Sequence, residues 1–225
     1  MTIGFRVLKR RRKVDADTVA KFRGLPVANV SDVMSRMSAG GPRLRPLHAG
    51  GPMAGPALTV KTRPGDNLMI HKALLLAEPG DVIVVDAGGD ITTAMVGELM
   101  LSHAIATGVA GIVINGAVRD YGWIKSSSFP VFAAGITHRG PFKDGPGEIN
   151  VPVALDGMVI EPGDLMLGDD DGLLCVSFDQ TAKVHEEARA KNEAEARILA
   201  NTQAGKLDPK TWVDESLKRL GCEGV

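Results

Sequence analysis

Hydrophobic positions in the middle of the chain come in short unbroken runs. Asp81–Val82–Ile83–Val84–Val85–Asp86 is the clearest: with no polar face, it predicts a strand buried on both sides, as strands of parallel sheets usually are. Gly111–Ile112–Val113–Ile114 and Pro130–Val131–Phe132–Ala133 predict two more of that kind. The stretch from about Thr93 to Thr107 is largely apolar and long enough for a helix. Strand, helix and strand at this spacing form a βαβ unit with a right-handed crossover. Upstream, Leu58–Thr59–Val60–Lys61–Thr62 alternates like a strand, and Val19 and Phe22 give residues 14–23 helical spacing. A second short helix is expected over residues 31–38, with Ser31 at its cap and Asp32 at its positive end.

Turn residues divide the rest. Residues 39–56 are rich in Gly and Pro and read as loop. Pro64–Gly65–Asp66 predicts a turn whose aspartate caps a helix running to Ala77, and Pro79–Gly80 ends it. After Gly135 the pattern becomes β-rich. Val151–Ala154 and Met158–Ile160 flank an Asp156–Gly157 hairpin turn, and Asp169–Asp170–Asp171–Gly172 separates Leu165–Leu167 from Leu173–Val176. A long charged helix is expected over residues 179–204 and a short one after Pro209. The whole is an α/β fold: a single domain over residues 1–225, with its core over about 25–180 and C-terminal helices over about 180–220.

Composition narrows the function classes. The 225 residues carry 26 Lys plus Arg against 27 Asp plus Glu, a net charge of −1 that argues against a generic nucleic-acid binder. The 44% hydrophobic content excludes disorder as the main state. No stretch approaches the ~20 apolar residues of a membrane span. Two distant cysteines, Cys175 and Cys222, fit a reducing compartment and a cytoplasmic protein; Cys175 sits in an apolar run as a core residue. The run Lys9–Arg10–Arg11–Arg12–Lys13 reads as a solvated arm ahead of the first helix.

Familiar catalytic signatures are missing: GxxxxGK[ST], HExxH, GxSxG, and the GxGxxG that brings backbone N–H groups to a pyrophosphate. The five histidines are scattered. Asp169–Asp171 lacks the alternating ligands of a calcium loop and reads as a strand connection. The strongest constellation is Asn115–Gly116–Ala117–Val118–Arg119–Asp120, which puts Arg119 and Asp120 at the C-terminal edge of the sheet, where open α/β sheets bind ligands. Arginine offers a planar fork for a carboxylate or enolate, and aspartate a hard oxygen for Mg²⁺ or its waters. Glu98, separated from Arg119 by twenty intervening residues, adds a carboxylate on the helix of the same βαβ unit. A charge in an apolar helix needs a partner, so these features are balanced between a structural Glu98–Arg119 ion pair and a site.

An acidic residue, twenty intervening positions and then Arg-Asp resembles the class II 4-hydroxy-4-methyl-2-oxoglutarate/4-carboxy-4-hydroxy-2-oxoadipate aldolases and the related regulators of ribonuclease E activity, the RraA-like family. The likeness runs from about Ser31 to the helix near Glu195. It includes Pro64–Gly65–Asp66–Asn67, Gly80–Asp86, Phe129–Pro130–Val131–Phe132, Pro162–Gly163–Asp164 and Asp169–Gly172. The resemblance implies a swivelling β/β/α domain in homotrimers or hexamers, with active sites between subunits. It implies divalent-metal-dependent cleavage of a small 2-oxo acid to pyruvate, with oxaloacetate decarboxylation as a side activity. By position, Asp120 would hold Mg²⁺ or Mn²⁺, Arg119 would bind the pyruvyl oxygens, and Glu98 would orient metal-bound water. The N–H groups of Leu99 and Met100 would take the pyruvate carboxylate, and Glu195 would reach a neighbouring subunit's metal site. The aldolases usually carry Asp where this chain has Glu98, and the regulators Gly. The alternatives are a non-catalytic regulator of a ribonuclease and another metal-assisted reaction on a 2-oxo acid.

Overall fold

The computed structural model describes residues 3–37 and 40–225. Its first unit runs through Ala188. In chain order it carries β1 (Phe5–Val7), α1 (Ala16–Phe22), α2 (Val27–Val33), β2 (Arg45–Pro46), β3 (Met53–Thr62), α3 (Leu68–Leu74), β4 (Val82–Asp86), β5 (Ala94–Val96) and α4 (Glu98–Ala106). There follow β6 (Gly111–Val118), α5 (Tyr121–Ile124), β7 (Val131–Ile136), β8 (Gly147–Ile149), β9 (Val153–Leu155), β10 (Met158–Ile160), β11 (Leu165–Asp169) and β12 (Gly172–Val176).

The expected buried run lies mid-sheet: β3, β4, β6 and β7 are parallel neighbours in that order, with β8 and β1 beyond β3 and β2 beyond β7. Alternation along these strands sorts their side chains to two faces. Ile83, Val85, Ile112, Ile114 and Val131 pack with Ile70 of α3, Leu101 of α4 and Ile124 of α5. Val82, Val84, Val113 and Phe132 pack instead with the β9–β10 hairpin and with Met166, Leu173 and Cys175. The β11–β12 hairpin has its own second face: Leu165, Leu167, Leu174 and Val176 meet Val19 and Phe22 of α1, Val30 of α2, and Val184 and Ala188. Helices, large sheet, small β layer and helices therefore stack in turn, an α/β fold of the expected class.

Three expectations are corrected. The apolar stretch from Thr93 to Thr107 is not one helix: Ala94–Val96 is extended as β5, parallel to the end of β6, and α4 begins only at Glu98. A short apolar run buried on all sides gives no period to tell helix from strand. The second short helix is α2, four residues earlier than expected; Ser38 lies outside the described residues. Its first N–H, on Val27, is taken by the Asp169 carboxylate at 2.9 Å, a cap supplied from 142 residues away. The basic arm is not wholly solvated. The Arg10 guanidinium grips the fully buried Asp81 carboxylate through two bonds, of 2.8 and 3.0 Å. Lys13 pairs with Glu78 and Arg12 with Asp179.

The second unit runs from Arg189 to Val225. It holds the later turns of α6 (Thr181–Gln203) and α7 (Trp212–Arg219), the two helices expected there. None of the helices among the described residues is long and apolar enough to cross a membrane.

Candidate active site

Register at the C-terminal edge of the sheet builds the site. Where β6 ends, Arg119 donates its N–H to Val96 C=O of β5 at 3.0 Å, and Thr137 donates to Val118 C=O at 3.0 Å. The ends of β5, β6 and β7 thus run side by side, and Gly97, Arg119–Asp120 and Thr137–His138 leave the sheet together. Asp120 then turns left-handed, with φ +59°, a conformation that aspartate tolerates better than most residues. The turn swings its carboxylate back over α4, where Oδ2 accepts the Glu98 N–H at 2.9 Å and stands 3.8 Å from Arg119 Nε.

Gly97 makes this approach possible. Its backbone is extended, at φ −153°, so no special dihedral requires glycine. A Cβ there would fall on Asp120 Oδ2 and lie 2.8 Å from Arg119 Cγ.

The structure brings together five of the six expected residues: Glu98, Leu99, Met100, Arg119 and Asp120. Glu98 is the first residue of α4 and is exposed, not embedded in an apolar helix, and its carboxylate forms no ion pair with Arg119; Arg119 pairs with Asp120 instead. Leu99 is 84% exposed. Its N–H belongs to the first helical turn, which has no acceptor within the helix. The Met100 N–H bonds Gly97 C=O at 3.1 Å. Glu195 lies in the second unit on α6, paired with Lys191 at 2.6 Å.

Sequence reading missed Asn67. It is 3% exposed, and its Nδ2 donates to Met95 C=O at 2.9 Å. Its Oδ1 is buried without a donor among the described residues. With Gly97, Leu99, Met100 and Arg119 it lines a slot of about 30 Å³. The available signal was its place in Pro64–Gly65–Asp66–Asn67. One helical turn on, burial foremost, and then the charges of Lys143 and His103, push the pKa of His71 down. Asp66, just before Asn67, is fully buried and holds the loop opposite: its carboxylate takes the N–H groups of Leu68, Asp144 and Gly145 at 2.7–3.0 Å. Wider grooves, of about 650 and 710 Å³, lie along the N-terminal segment and are lined by neither Glu98 nor Asp120.

Among the described residues no three His, Cys, Asp or Glu side chains cluster as metal ligands. The donors fit a hard cation that keeps most of its waters, because Mg²⁺ is commonly held by one or two carboxylates. Asp120 is a half-exposed carboxylate, and Glu98, whose N–H it accepts, is exposed and carries a second. Asn67, with its buried Oδ1 left without a donor among the described residues, lines the slot beside Gly97 and Arg119.

Residues 27–175 match the model of the RraA-like family, described as Aldolase/RraA. The chain is 38% identical over 192 residues to a Halalkalibacterium halodurans protein named "Putative 4-hydroxy-4-methyl-2-oxoglutarate aldolase", an alignment covering 84% of this chain and 91% of that one. An uncharacterized protein from Pseudomonas syringae superposes with a TM-score of 0.77 at 27% identity, covering 86% of this chain and 95% of its own. RraAS2 of Streptomyces coelicolor, described as an unusual member of the RNase ES inhibitor RraA protein family, superposes at 0.74 with 26% identity, covering 82% and 96%. Matched by the family model over residues 27–175 and by a 38% identical relative over most of its length, the chain belongs to the RraA-like family.

Proposed function

We propose that this protein is a divalent-metal-dependent aldolase that cleaves 4-hydroxy-4-methyl-2-oxoglutarate-like 2-oxo acids and releases pyruvate, with oxaloacetate decarboxylation as a side activity. The observation that carries the reading is the placement of Arg119 and Asp120 against the α4 N-terminus, reinforced by the aldolase name of the H. halodurans relative.

The residues divide the work. The Leu99 N–H at the positive end of α4 binds the substrate's terminal carboxylate, and Met100 completes that turn. Arg119 donates to the 2-oxo oxygen, where negative charge accumulates as the C3–C4 bond breaks and its electron pair moves onto the pyruvoyl unit. The 4-hydroxyl gives up its proton as C4 becomes a carbonyl, and Glu98 takes it through a water; that proton equivalent finally returns to C3 of pyruvate. Asp120 and, from another copy of the chain, Glu195 hold Mg²⁺ or Mn²⁺, which when bound supplies Lewis-acid stabilisation of the same charge. The assembly is a homotrimer or hexamer; sedimentation that finds only monomers would remove Glu195 from the site.

The test is pyruvate release from 4-hydroxy-4-methyl-2-oxoglutarate and, separately, oxaloacetate, each with Mg²⁺ or EDTA. Mg²⁺-dependent release that Arg119→Ala abolishes supports the reading. Release from neither substrate sinks it. The inhibitor name of the Streptomyces protein then favours a second reading, a non-catalytic regulator that binds a ribonuclease.

A further inference from the structure

Arg119 forms a wall shared by two recesses of unequal size. On the α4 side lies the slot of about 30 Å³ bounded by Asn67, Gly97, Leu99 and Met100. On the β7 side lies a cleft of about 320 Å³ lined by Arg119, Asp120, Ile136, Thr137 and His138. The register accounts for the pair: β5 and β7 flank the end of β6, so one side of Arg119 faces the residues that follow β5 and the other faces those that follow β7.

We propose that the substrate straddles Arg119. Its pyruvoyl carboxylate enters the slot and its distal half lies in the cleft, where His138 donates a hydrogen bond to a distal carboxylate and Ile136 packs against an alkyl group on C4. His138 is then a specificity-determining residue, the one that reads the far carboxylate of the substrates proposed above. This rests on the aldolase reading above.

Size, polarity and charge support the assignment. The slot has room for little beyond a single carboxylate or water, so a substrate of five or more carbons must leave it past Arg119. The cleft meets such a substrate with two kinds of surface. Ile136 is 49% exposed beside polar neighbours, an apolar contact otherwise wasted on water. His138 is exposed on the same wall and supplies an imidazole N–H. Arg119 is engaged by the 2-oxo oxygen and Asp120 offers this wall only acceptors, so a distal carboxylate needs a donor of its own. Arg139, the next residue along the loop, is not among the residues that line the cleft. His138 is left to face the cleft.

The experiment compares binding with turnover in the full-length protein, with Mg²⁺ present. Calorimetry uses two unreactive probes: pyruvate, which has no distal half, and 2-oxoglutarate, which carries a distal carboxylate. For His138→Ala we expect 2-oxoglutarate to bind about tenfold or more weakly, the loss typical of a hydrogen bond to a charged group, with pyruvate unchanged. The kcat/KM for 4-hydroxy-4-methyl-2-oxoglutarate should fall in parallel, and His138→Gln, which retains an N–H donor, should recover part of both. Equal weakening of both probes, or of neither, overturns the proposal while leaving the aldolase reading intact. A wild-type protein that releases no pyruvate and binds neither probe overturns both.

Discussion

The Asp120 carboxylate accepts the backbone N–H of Glu98 at 2.9 Å, joining the end of β6 to the start of α4 across 22 residues of sequence. One carboxylate thus caps a helix that has no side-chain cap of its own and also presents the charge proposed to hold the metal. Two substitutions separate the roles. Asp120→Asn keeps an acceptor for Glu98 but loses the charge, so turnover should fall about 10²–10³-fold with little change in melting temperature. Asp120→Ala removes the cap as well and should cost about 0.5–2 kcal/mol of stability. Wild-type turnover in Asp120→Asn would remove Asp120 from the chemistry.

Gly97 gives a sharper test, because it bears no functional group. Alanine suits its extended backbone, yet the new Cβ must push Asp120 Oδ2 and the Arg119 stem aside. Displacements of about 1 Å can cost ~10²-fold in rate. Gly97→Ala should therefore lose about that much pyruvate release, while its far-ultraviolet circular dichroism and melting curve stay close to wild type. Full activity would mean that the spacing between α4 and Arg119–Asp120 is not critical.

What the sequence made legible, and what it hid, follows the range of the interactions. The parallel strands around Val82–Val85 were readable because burial on both faces leaves an unbroken apolar run. The Asp156–Gly157 hairpin was readable because both residues have positive φ, +48° and +87°, which favours that pair. Elements fixed from afar were not. The α2 start depends on Asp169, β1 exists through pairing with β8, and β5 is a strand only because β6 lies beside it. In the site, Arg119, Asp120 and Glu98 were visible as a spacing. The apolar run of β5 directly before α4 hides that Glu98 opens the helix at an exposed position. Asn67 and His138 join the site through tertiary neighbours alone.

Arg10 and Asp81 illustrate the same limit and carry a prediction about stability. Within a run of five basic residues nothing marks Arg10, yet it alone meets a fully buried carboxylate. Removing one partner of a buried pair strands the other charge and costs about 3–5 kcal/mol. Arg10→Met should lose about that much in urea unfolding, whereas the same change at exposed Arg11 should stay within about 0.5 kcal/mol. Equal stability of the two variants would show that the pair is dispensable.

Asp66 should make stability, and the loop facing the site, sensitive to acid. Burial by itself would raise the pKa of this carboxyl, but the N–H groups of Leu68, Asp144 and Gly145, together with Arg63, outweigh it and hold the value below the usual aspartate range. A depressed folded-state pKa favours folding above the unfolded value of about 3.8, and that contribution is lost as pH falls through the lower folded value. Asp66→Asn cannot accept all the bonds that the carboxylate accepts, and should cost about 1–3 kcal/mol near neutral pH. The gap between wild type and variant should then narrow as the pH falls below about 3.8. His71, whose pKa is pushed down, acts in the same direction at higher pH: the folded state favours its neutral form, so its contribution declines as pH falls through about 6.5. Urea unfolding across the acid range separates the two, because Asp66→Asn should change the pH slope only of the lower limb and His71→Gln only that of the upper one. A gap for Asp66→Asn that stays constant into acid would mean that its carboxylate is held no more strongly in the folded chain than in the unfolded one.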